Sequence, residues 1–315
     1  MSKNAINTIK LLILPVGMFI IFTLIASGFG IHSIPIIISQ SIMHVVIGFG
    51  LSLLMNAELM DFSMGARASF AAILGGIFSQ TMGIFGLFLG CAVGAMFGAL
   101  IMAVIYRYLK IPAMVVSLGI VMIYEVLGAK LTGSSGYLRI SEGIYKIGSY
   151  PYNIVILVVA GFICYMIYYK MRIGGHITAV GNDEKMCKNV GVNADRVKFI
   201  AIILTGIFCA IAGLLNICYS GSVTSSTGMG TMSMVFKPIM CVIIGRQMRR
   251  IVDCMPVLIF VGGLCISIIF NGFIALGFPD ALQDIVLGLF LIIVMSYSAN
   301  SGKISSIRKK LMTAK

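Results

Sequence analysis

The chain has 315 residues, of which 59% are hydrophobic and only 10% are charged, and its formal net charge is +13. Soluble domains carry about 25% charged residues, so this composition excludes an ordinary soluble globular protein. The polar segments between the apolar runs are too short to form a soluble domain with its own core. We therefore expect a single all-α integral membrane domain over residues 1–315.

Long apolar runs follow one another along the chain, and a membrane-spanning helix needs roughly 20 such residues. The pattern predicts about ten spans. The first run is longer than the core of a secretory signal and is followed by no A-x-A cleavage site, so we expect a retained span. The predicted spans are residues 11–30, 34–55, 66–82, 84–106, 112–131, 151–169, 198–219, 233–245, 255–276 and 282–298.

Two of these runs have unusual lengths or connections. Residues 66–82 and 84–106 are joined only by Met82 and Gly83, which predicts a very short turn. The run 233–245 is too short for a complete crossing, which indicates a broken or tilted helix.

The positive charges indicate how the spans are oriented. With the N terminus in the cytoplasm and alternating crossings, most of the 23 Lys and Arg residues, Arg67 among them, fall on the cytoplasmic side. Lys130, Arg139, Lys146 and Lys237 fall outside. Cytoplasmic loops are enriched in Lys and Arg, so we expect both termini in the cytoplasm. The net charge then reflects topology and attraction to anionic lipid rather than nucleic-acid binding.

The longest polar interruption is residues 174–198. A short helix outside the hydrocarbon is predicted there at residues 182–190, since Asn182 stands at the N-cap position and is followed by two acids. Gly191 is a typical C′ residue that ends the helix. Spacing alone leaves two interpretations, an interfacial helix that rests on lipid headgroups and a docking element for a soluble partner.

This segment resembles the cytoplasmic coupling segment of ATP-binding-cassette (ABC) importer permeases, most closely the ribose and monosaccharide type. That type is related to branched-chain amino acid and nucleoside permeases. The matching residues are Gly175, Ala179, Gly181, Asn182, Glu184, Gly191, Val192, Arg196 and Lys198. The resemblance implies that the short helix docks on an ATPase subunit, and the residues expected at that contact are Gly181, Asn182, Asp183, Glu184, Val190 and Gly191.

Other stretches extend the resemblance over most of residues 34–298. Residues 60–65, Met-Asp-Phe-Ser-Met-Gly, are similar to the family signature Ile-Asp-Leu-Ser-Val-Gly, and Asp61 is typical of the sugar type. Residues 245–253 depart from the family, because arginines stand where a glycine-rich turn is usual. Backbone geometry and partner contacts at that turn are therefore not carried over.

Polar side chains within apolar runs usually face the bundle interior or a water-filled cavity. Each such residue here either lines a solute pathway or makes an interhelical hydrogen bond. For His44 a packing role is the alternative, and Asp61 or Ser63 could instead cap the following helix. The residues predicted to lie on a pathway are Gln40, His44, Asn56, Asp61, Ser63 and Asn271.

Two features of the spans concern packing and charge. A glycine at every fourth position of residues 84–106 predicts a smooth stripe that lets a neighbouring helix approach closely. Glu125 lies deep within span 112–131, where it either pairs with Lys130 or faces the pathway. The glycines of the stripe are Gly86, Gly90, Gly94 and Gly98.

The sequence lacks the motifs of common catalytic sites. It has no Gly-x-x-x-x-Gly-Lys-Ser/Thr phosphate loop, no His-Glu-x-x-His and no Gly-x-Ser-x-Gly. The eight cysteines show no Cys-x-x-Cys pair and no metal-ligand spacing. We expect no enzymatic activity, cofactor or metal in this chain, with ATP and Mg²⁺ bound by a separate ATPase chain.

The resemblance implies the permease subunit of an ATP-driven importer for a sugar or sugar-like solute, in a bacterial plasma membrane. Its expected partners are two ATPase subunits, a second permease copy or paralogue, an extracytoplasmic solute-binding protein and membrane lipid, with no nucleic acid. The external loops 132–150 and 220–232 are expected to form the platform for the binding protein.

Three alternatives remain open from the sequence. The altered turn at 245–253 leaves a permease for nucleosides or branched-chain amino acids possible. An ion-coupled secondary transporter would use ionisable residues in the membrane, for which Glu125, His44 and Asp284 are the candidates. A non-transporting membrane scaffold is the third class, and the polar positions within the spans argue only mildly against it.

Overall fold

A computed structural model gives the fold and describes residues 3–26, 28–140, 145–279, 282–283, 285–289, 292–293 and 296. This part of the chain is almost entirely helical, and six of its helices are long and apolar enough to cross a membrane. The predicted class, an all-α multi-pass membrane protein, is confirmed. The helices are α1 (Lys3–Ile25), α2 (Ile34–Asn56), α3 (Met64–Leu109), α4 (Ala113–Thr132), α5 (Tyr152–Tyr165), α6 (Arg172–Asn182), α7 (Glu184–Asn189), α8 (Ala194–Ser220), α9 (Phe236–Gln247) and α10 (Met255–Ala275).

Helix α3 is a hairpin of two antiparallel arms. Its 46 residues would extend about 69 Å if straight, more than twice the roughly 30 Å of the hydrocarbon core. Gly83 breaks it with φ of 59°, a conformation that favours glycine. The glycine stripe of residues 84–109 then lies against residues 64–82, and a Cβ on Gly90 would lie 2.8 Å from the backbone nitrogen of Gly75. The predicted turn and the packing role of the stripe are confirmed.

The bundle is organised around α8. This helix packs most extensively against both arms of α3 and also contacts α2, while α9 and α10 pack on each other and on α2. The rings of Phe49 and Phe208 meet edge to face in this core, with centroids 6.2 Å apart. Large apolar side chains such as Phe97, Val126 and Val158 remain exposed on the outside. In a bilayer these side chains contact lipid tails, which are as apolar as they are.

Helix α9 is too short to cross the membrane alone. Its 12 residues extend about 18 Å, and a 3₁₀ turn at Gly230–Val235 precedes it. This turn packs against the start of α3, where any Cβ on Gly65 would collide with the carbonyl oxygen of Thr231. The expected incomplete crossing over residues 233–245 is therefore present as a 3₁₀ turn followed by a short helix.

The two loops predicted to be external are joined by a small antiparallel sheet that the sequence analysis did not predict. Strand β1 (Tyr137–Arg139) pairs with β2 (Ser222–Thr224). Each strand has three residues, too few for an alternating pattern to be recognised.

The predicted total of about ten spans stays a prediction. Helix α1 contributes only a shorter apolar stretch, Lys10–Ile25. The last predicted span, 282–298, is described only in part, at 282–283, 285–289, 292–293 and 296, and Asp284 lies outside the described residues.

Candidate functional site

The polar segment 174–198 contains two helices rather than one. Helix α6 occupies its first part, with Gly174, Ile177 and Val180 buried at every third position. The sequence predicted no helix before residue 182, so α6 was missed. The apolar face of α6 is too narrow to stand out in a sequence whose neighbouring spans are apolar on every side.

Helix α7 begins two residues later than predicted. The backbone of Asp183 is extended, with φ of −157° and ψ of 100°, and its side chain accepts the Met186 N–H at 2.9 Å. Asp183 is thus the N-cap. The prediction of Asn182 in this position was wrong, because α6 continues through Asn182 and uses it as its last helical residue.

The C-terminal end of α7 is as predicted. Gly191 has φ of 85°, and the next N–H, of Val192, donates to the Cys187 carbonyl at 2.9 Å in a Schellman arrangement. Cys187 is buried, whereas Met186 and Val190 are 66% and 77% exposed. The short helix therefore carries apolar side chains that point away from the bundle.

Glu184 ties α7 to the membrane bundle. Its carboxylate accepts a hydrogen bond from Lys198 on α8 at 2.7 Å and pairs with Lys188 at 2.8 Å. Hydrogen bonds from Lys188 and from Lys198 lower the pKa of Glu184 to about 2. Glu184 therefore has contacts within this chain, and its predicted contact with an ATPase subunit stays a prediction.

Asn56 lies at a junction of four segments. A Cβ on Gly181 would collide with the Asn56 carbonyl oxygen, so α6 rests directly on the end of α2. The Asn56 side chain donates to the Tyr168 hydroxyl at 3.2 Å and accepts from Arg246 at the end of α9. Tyr168 in turn donates to Ser52 at 2.9 Å. Arg246, in the stretch that departs from the family, was missed because its partner is 190 residues away in the chain.

Asp61 and Ser63 belong to a buried ion-pair cluster. One oxygen of Asp61 accepts both the N–H and the hydroxyl of Ser63, at 2.8 and 2.6 Å, and the other oxygen pairs with Arg67. Arg67 also donates to Thr205 at 3.0 Å. Thr205 is near the middle of α8, so the cluster lies inside the helix bundle. Arg67 is fully buried beside its counter-ion, rather than exposed in a loop, and its assignment to the cytoplasmic side stays a prediction.

The Glu125 carboxylate binds the segment that precedes α9, at Met229 and Thr231. This carboxylate accepts the N–H of Met229 at 2.7 Å, and the N–H and hydroxyl of Thr231 at 2.8 and 2.7 Å. Neither alternative from the sequence, Lys130 or the pathway, describes this role. The partners are more than a hundred positions away along the chain, and no local pattern could have indicated them.

A cavity with both polar and apolar lining residues lies between α2, α5, α8, α9 and α10. It has a volume of about 400 Å³ and is lined by Gln40, His44, Asn153 and Lys237 among others. A second cavity of about 570 Å³ shares His44 and Lys237 and reaches the 3₁₀ turn that Glu125 holds. Both volumes are in the range of small-molecule sites.

Two polar atoms at the first cavity have no hydrogen-bond partner among the described residues, His44 Nδ1 and Asn153 Oδ1. The Asn153 amide nitrogen is held by Ser39 at 2.9 Å, which fixes the orientation of the side chain. Buried polar groups normally find partners. Both atoms are themselves buried; Asn153 Oδ1 can only accept a hydrogen bond, whereas His44 Nδ1 can accept or donate one.

The structure brings only part of the predicted pathway together. Gln40 and His44 line the first cavity, and Asn271 supports it by donating to Gln40 at 2.8 Å. Asn56, Asp61 and Ser63 do not line either cavity. Lys237 and Asn153 were missed as lining residues. Lys237 had been assigned to the outside, although its position at the start of an apolar run was a usable signal.

Comparison with known proteins identifies similar chains. Residues 33–295 match the family described as "branched-chain amino acid transport system / permease component". The galactose/methyl galactoside import permease of Escherichia coli strain K12 is 26% identical over 219 residues, which are 61% of this chain and 65% of that protein. The fructose import permease of Rhizobium meliloti is 26% identical over 69% of this chain and 65% of its own length. The ribose import permease of Escherichia coli strain K12 is 23% identical over 91% of each chain.

A solved structure of an ABC transporter of the metal-chelate type, in an inward-facing conformation, has a similar fold. Its TM-score is 0.51 at 14% identity, over 92% of this chain and 99% of that one. This likeness concerns the fold alone. Within the described residues no group of three or more His, Cys, Asp or Glu side chains could hold a metal ion.

Proposed function

This chain belongs to the family of branched-chain amino acid transport system permease components, and from that premise we propose that it is the permease subunit of an ATP-driven importer for a sugar or sugar-like solute. The family description names amino acids, but the relatives reported above are permeases for galactose, fructose and ribose. The ribose permease carries most weight in this choice, since it matches 91% of both chains.

The observation that carries the proposal is the set of polar side chains in the first cavity. Gln40, His44 and Asn153 line it beside apolar residues such as Ile42 and Phe270, and two of the three polar side chains have an unpartnered atom. A solute rich in hydroxyl groups can satisfy such atoms as donor and as acceptor.

Coupling to ATP hydrolysis would pass through α7. Its exposed Met186 and Val190 suit an apolar groove on a soluble ATPase subunit. A displacement of α7 would reach α8 through the Glu184–Lys198 pair. It would reach the end of α2 through the close approach of α6 to Asn56.

The same helices carry the cavity. Asn56 and His44 are on α2, so a shift at the end of α2 moves a lining residue. Arg246, which donates to Asn56, ends the short helix whose first turn holds Lys237. Nucleotide-driven motion of α7 would thereby shift the population between outward-open and inward-open cavities.

The proposed assembly contains two permease chains, two ATPase subunits that bind ATP and Mg²⁺, and an extracytoplasmic solute-binding protein. Both termini and α7 face the cytoplasm, in agreement with the charge distribution. The sheet of β1 and β2 lies on the opposite side and would support the platform for the binding protein. This chain itself would bind no cofactor.

Purification of the tagged chain from its native membrane in mild detergent tests the docking. We expect an ATPase with a Walker motif to co-purify with the wild type. The double variant Met186→Glu/Val190→Glu should lose it, because charges replace the exposed apolar contacts. Tyr137→Glu, on exposed β1, is the matched control and should retain it. Robust solute uptake by a chain that never retains an ATPase would contradict the proposal.

A further inference from the structure

A basic pocket lies apart from the two cavities, where the end of α3 and the start of α4 meet α7 and α8. Its volume is about 350 Å³. Its charged lining residues are Arg107 and Lys110 from the α3–α4 connection, Lys188 from α7, and Asp195 from α8. Three positive charges against one carboxylate leave the pocket net positive and suited to an anion.

The three cations differ in how far the protein itself engages them. Arg107 lies over the Phe199 ring, 5.3 Å from its centroid, and Lys188 pairs with Glu184 at 2.8 Å. The Lys110 ammonium makes no hydrogen bond or ion pair with any side chain of the described residues. Lys110 therefore has the greatest capacity to bind an anion from outside the chain.

The backbone of the pocket is pre-formed. Lys110 ends α3 with φ of 51°, and Pro112 provides the N-cap of α4. Helix α4 begins at the pocket wall, and the first N–H groups of a helix have no intrahelical acceptor. With 20 residues, α4 also has a dipole whose positive end favours negative charge at this place.

Exposed apolar side chains lie next to the pocket's lining residues along the chain, on either side of the α3–α4 connection. Tyr108 and Leu109 are 77% and 60% exposed, and Met114 and Val115 are 49% and 58% exposed. Side chains of this kind face acyl chains in a bilayer. The pocket therefore opens at the boundary between hydrocarbon and water, where phospholipid headgroups lie.

We propose that this pocket binds the phosphate of an anionic phospholipid of the cytoplasmic leaflet, a placement that rests on the orientation given under the proposed function. Basic pockets between helices on the cytoplasmic side are suited to anionic headgroups. The phosphate is held by Lys110, Arg107 and Lys188, and the acyl chains lie along Leu109 and Met114. Because Lys188 belongs to α7, the bound lipid also steadies the helix that would dock the ATPase.

Native mass spectrometry of the full-length purified chain tests the proposal by titration with phosphatidylglycerol or phosphatidylcholine of identical acyl chains. We expect tighter binding of phosphatidylglycerol. Lys110→Gln should weaken that binding about fivefold, since it removes one hydrogen bond to the phosphate in the pocket, a loss of about 1 kcal/mol. Lys110→Arg should restore it. Lys185→Gln removes the same charge from exposed α7 outside the pocket, and it should leave binding unchanged.

Equal binding of the two lipids, or an equal loss in Lys185→Gln, would overturn the proposal. Glycerol 3-phosphate supplies the phosphate without acyl chains. Its competition at the same concentration as phosphatidylglycerol would assign the pocket to a free phosphate compound instead. The titration needs neither an ATPase nor a solute, so its outcome is independent of whether the transport function is right.

Discussion

Two sets of polar groups in the bundle differ in whether the chain supplies their hydrogen-bond partners. The carboxylates of Asp61 and Glu125 are buried, and each of their oxygens has a donor from this chain. His44 and Asn153, by contrast, line a cavity, and each has a buried atom without a partner among the described residues. Because an unsatisfied polar group within the membrane costs several kcal/mol, the satisfied set holds the scaffold. We propose that the open set is left for the transported solute.

The largest effect is expected at the Asp61–Arg67 pair. Asp61→Leu leaves the guanidinium of Arg67 buried without its counter-ion, which should reduce the free energy of unfolding by about 3–5 kcal/mol. Thermal unfolding of the detergent-purified protein measures this loss. The double variant Asp61→Leu/Arg67→Leu should recover most of it, because no charge is then left unpaired. If Asp61→Leu is as stable as the wild type, the Asp61–Arg67 pair does not stabilise the fold.

The second largest effect is expected at Glu125. Glu125→Ala leaves the N–H groups of Met229 and Thr231 without their acceptor, at about 1–3 kcal/mol for each buried group. Hydrogen exchange at residues 229–235 should accelerate, and uptake should fall because this turn borders the second cavity. Lys130→Gln is the control, since Lys130 is not a partner of Glu125. Unchanged exchange in Glu125→Ala would show that the segment is held by other contacts.

The cavity residues should affect binding rather than stability. His44→Leu removes one hydrogen bond to the solute, so the KM of uptake should rise about tenfold for a loss of roughly 1–1.5 kcal/mol. The temperature of unfolding should stay that of the wild type. Initial rates with labelled galactose, ribose and fructose measure the change. If His44→Leu instead lowers the temperature of unfolding and leaves KM unchanged, His44 stabilises the fold and does not bind the solute.

The smallest effect is expected at Glu184, which is partly exposed. Its pKa of about 2 is below its ordinary value of 4.5, so its ion pairs contribute fully above pH 4.5 and are lost as the pH falls towards 2. Hydrogen exchange of α7, corrected for the intrinsic rate, should rise slightly in that window. Glu184→Gln should abolish the pH dependence. If Glu184→Gln shows the same pH dependence as the wild type, another titrating group is responsible for that dependence.

Features that depend on neighbouring residues could be predicted from the sequence. The apolar runs gave most helices to within a few residues, and Gly83, Gly191 and the glycine stripe were assigned correctly because each role follows from local geometry. Helix α6 was missed because its apolar face is narrow. The N-cap at Asp183 was missed because two adjacent polar residues, Asn182 and Asp183, are both suitable caps and do not determine where α7 begins.

Contacts between distant residues could not be predicted in this way. Thr205 is 138 positions from Arg67, and Asn271 is 231 positions from Gln40. Polarity within an apolar run indicated Gln40 and His44, which line the first cavity. It could not separate them from Asp61 and Ser63, because only the fold decides which polar group finds a partner within the chain.

The energy source of uptake tests the central claim most directly. Uptake of labelled galactose, ribose and fructose would be measured in right-side-out membrane vesicles that contain the whole system, with and without internal ATP, and with and without an ionophore. We predict that uptake requires ATP and persists when the ion gradients are collapsed. Uptake that continues without ATP and stops with the ionophore would contradict the account and identify an ion-coupled transporter.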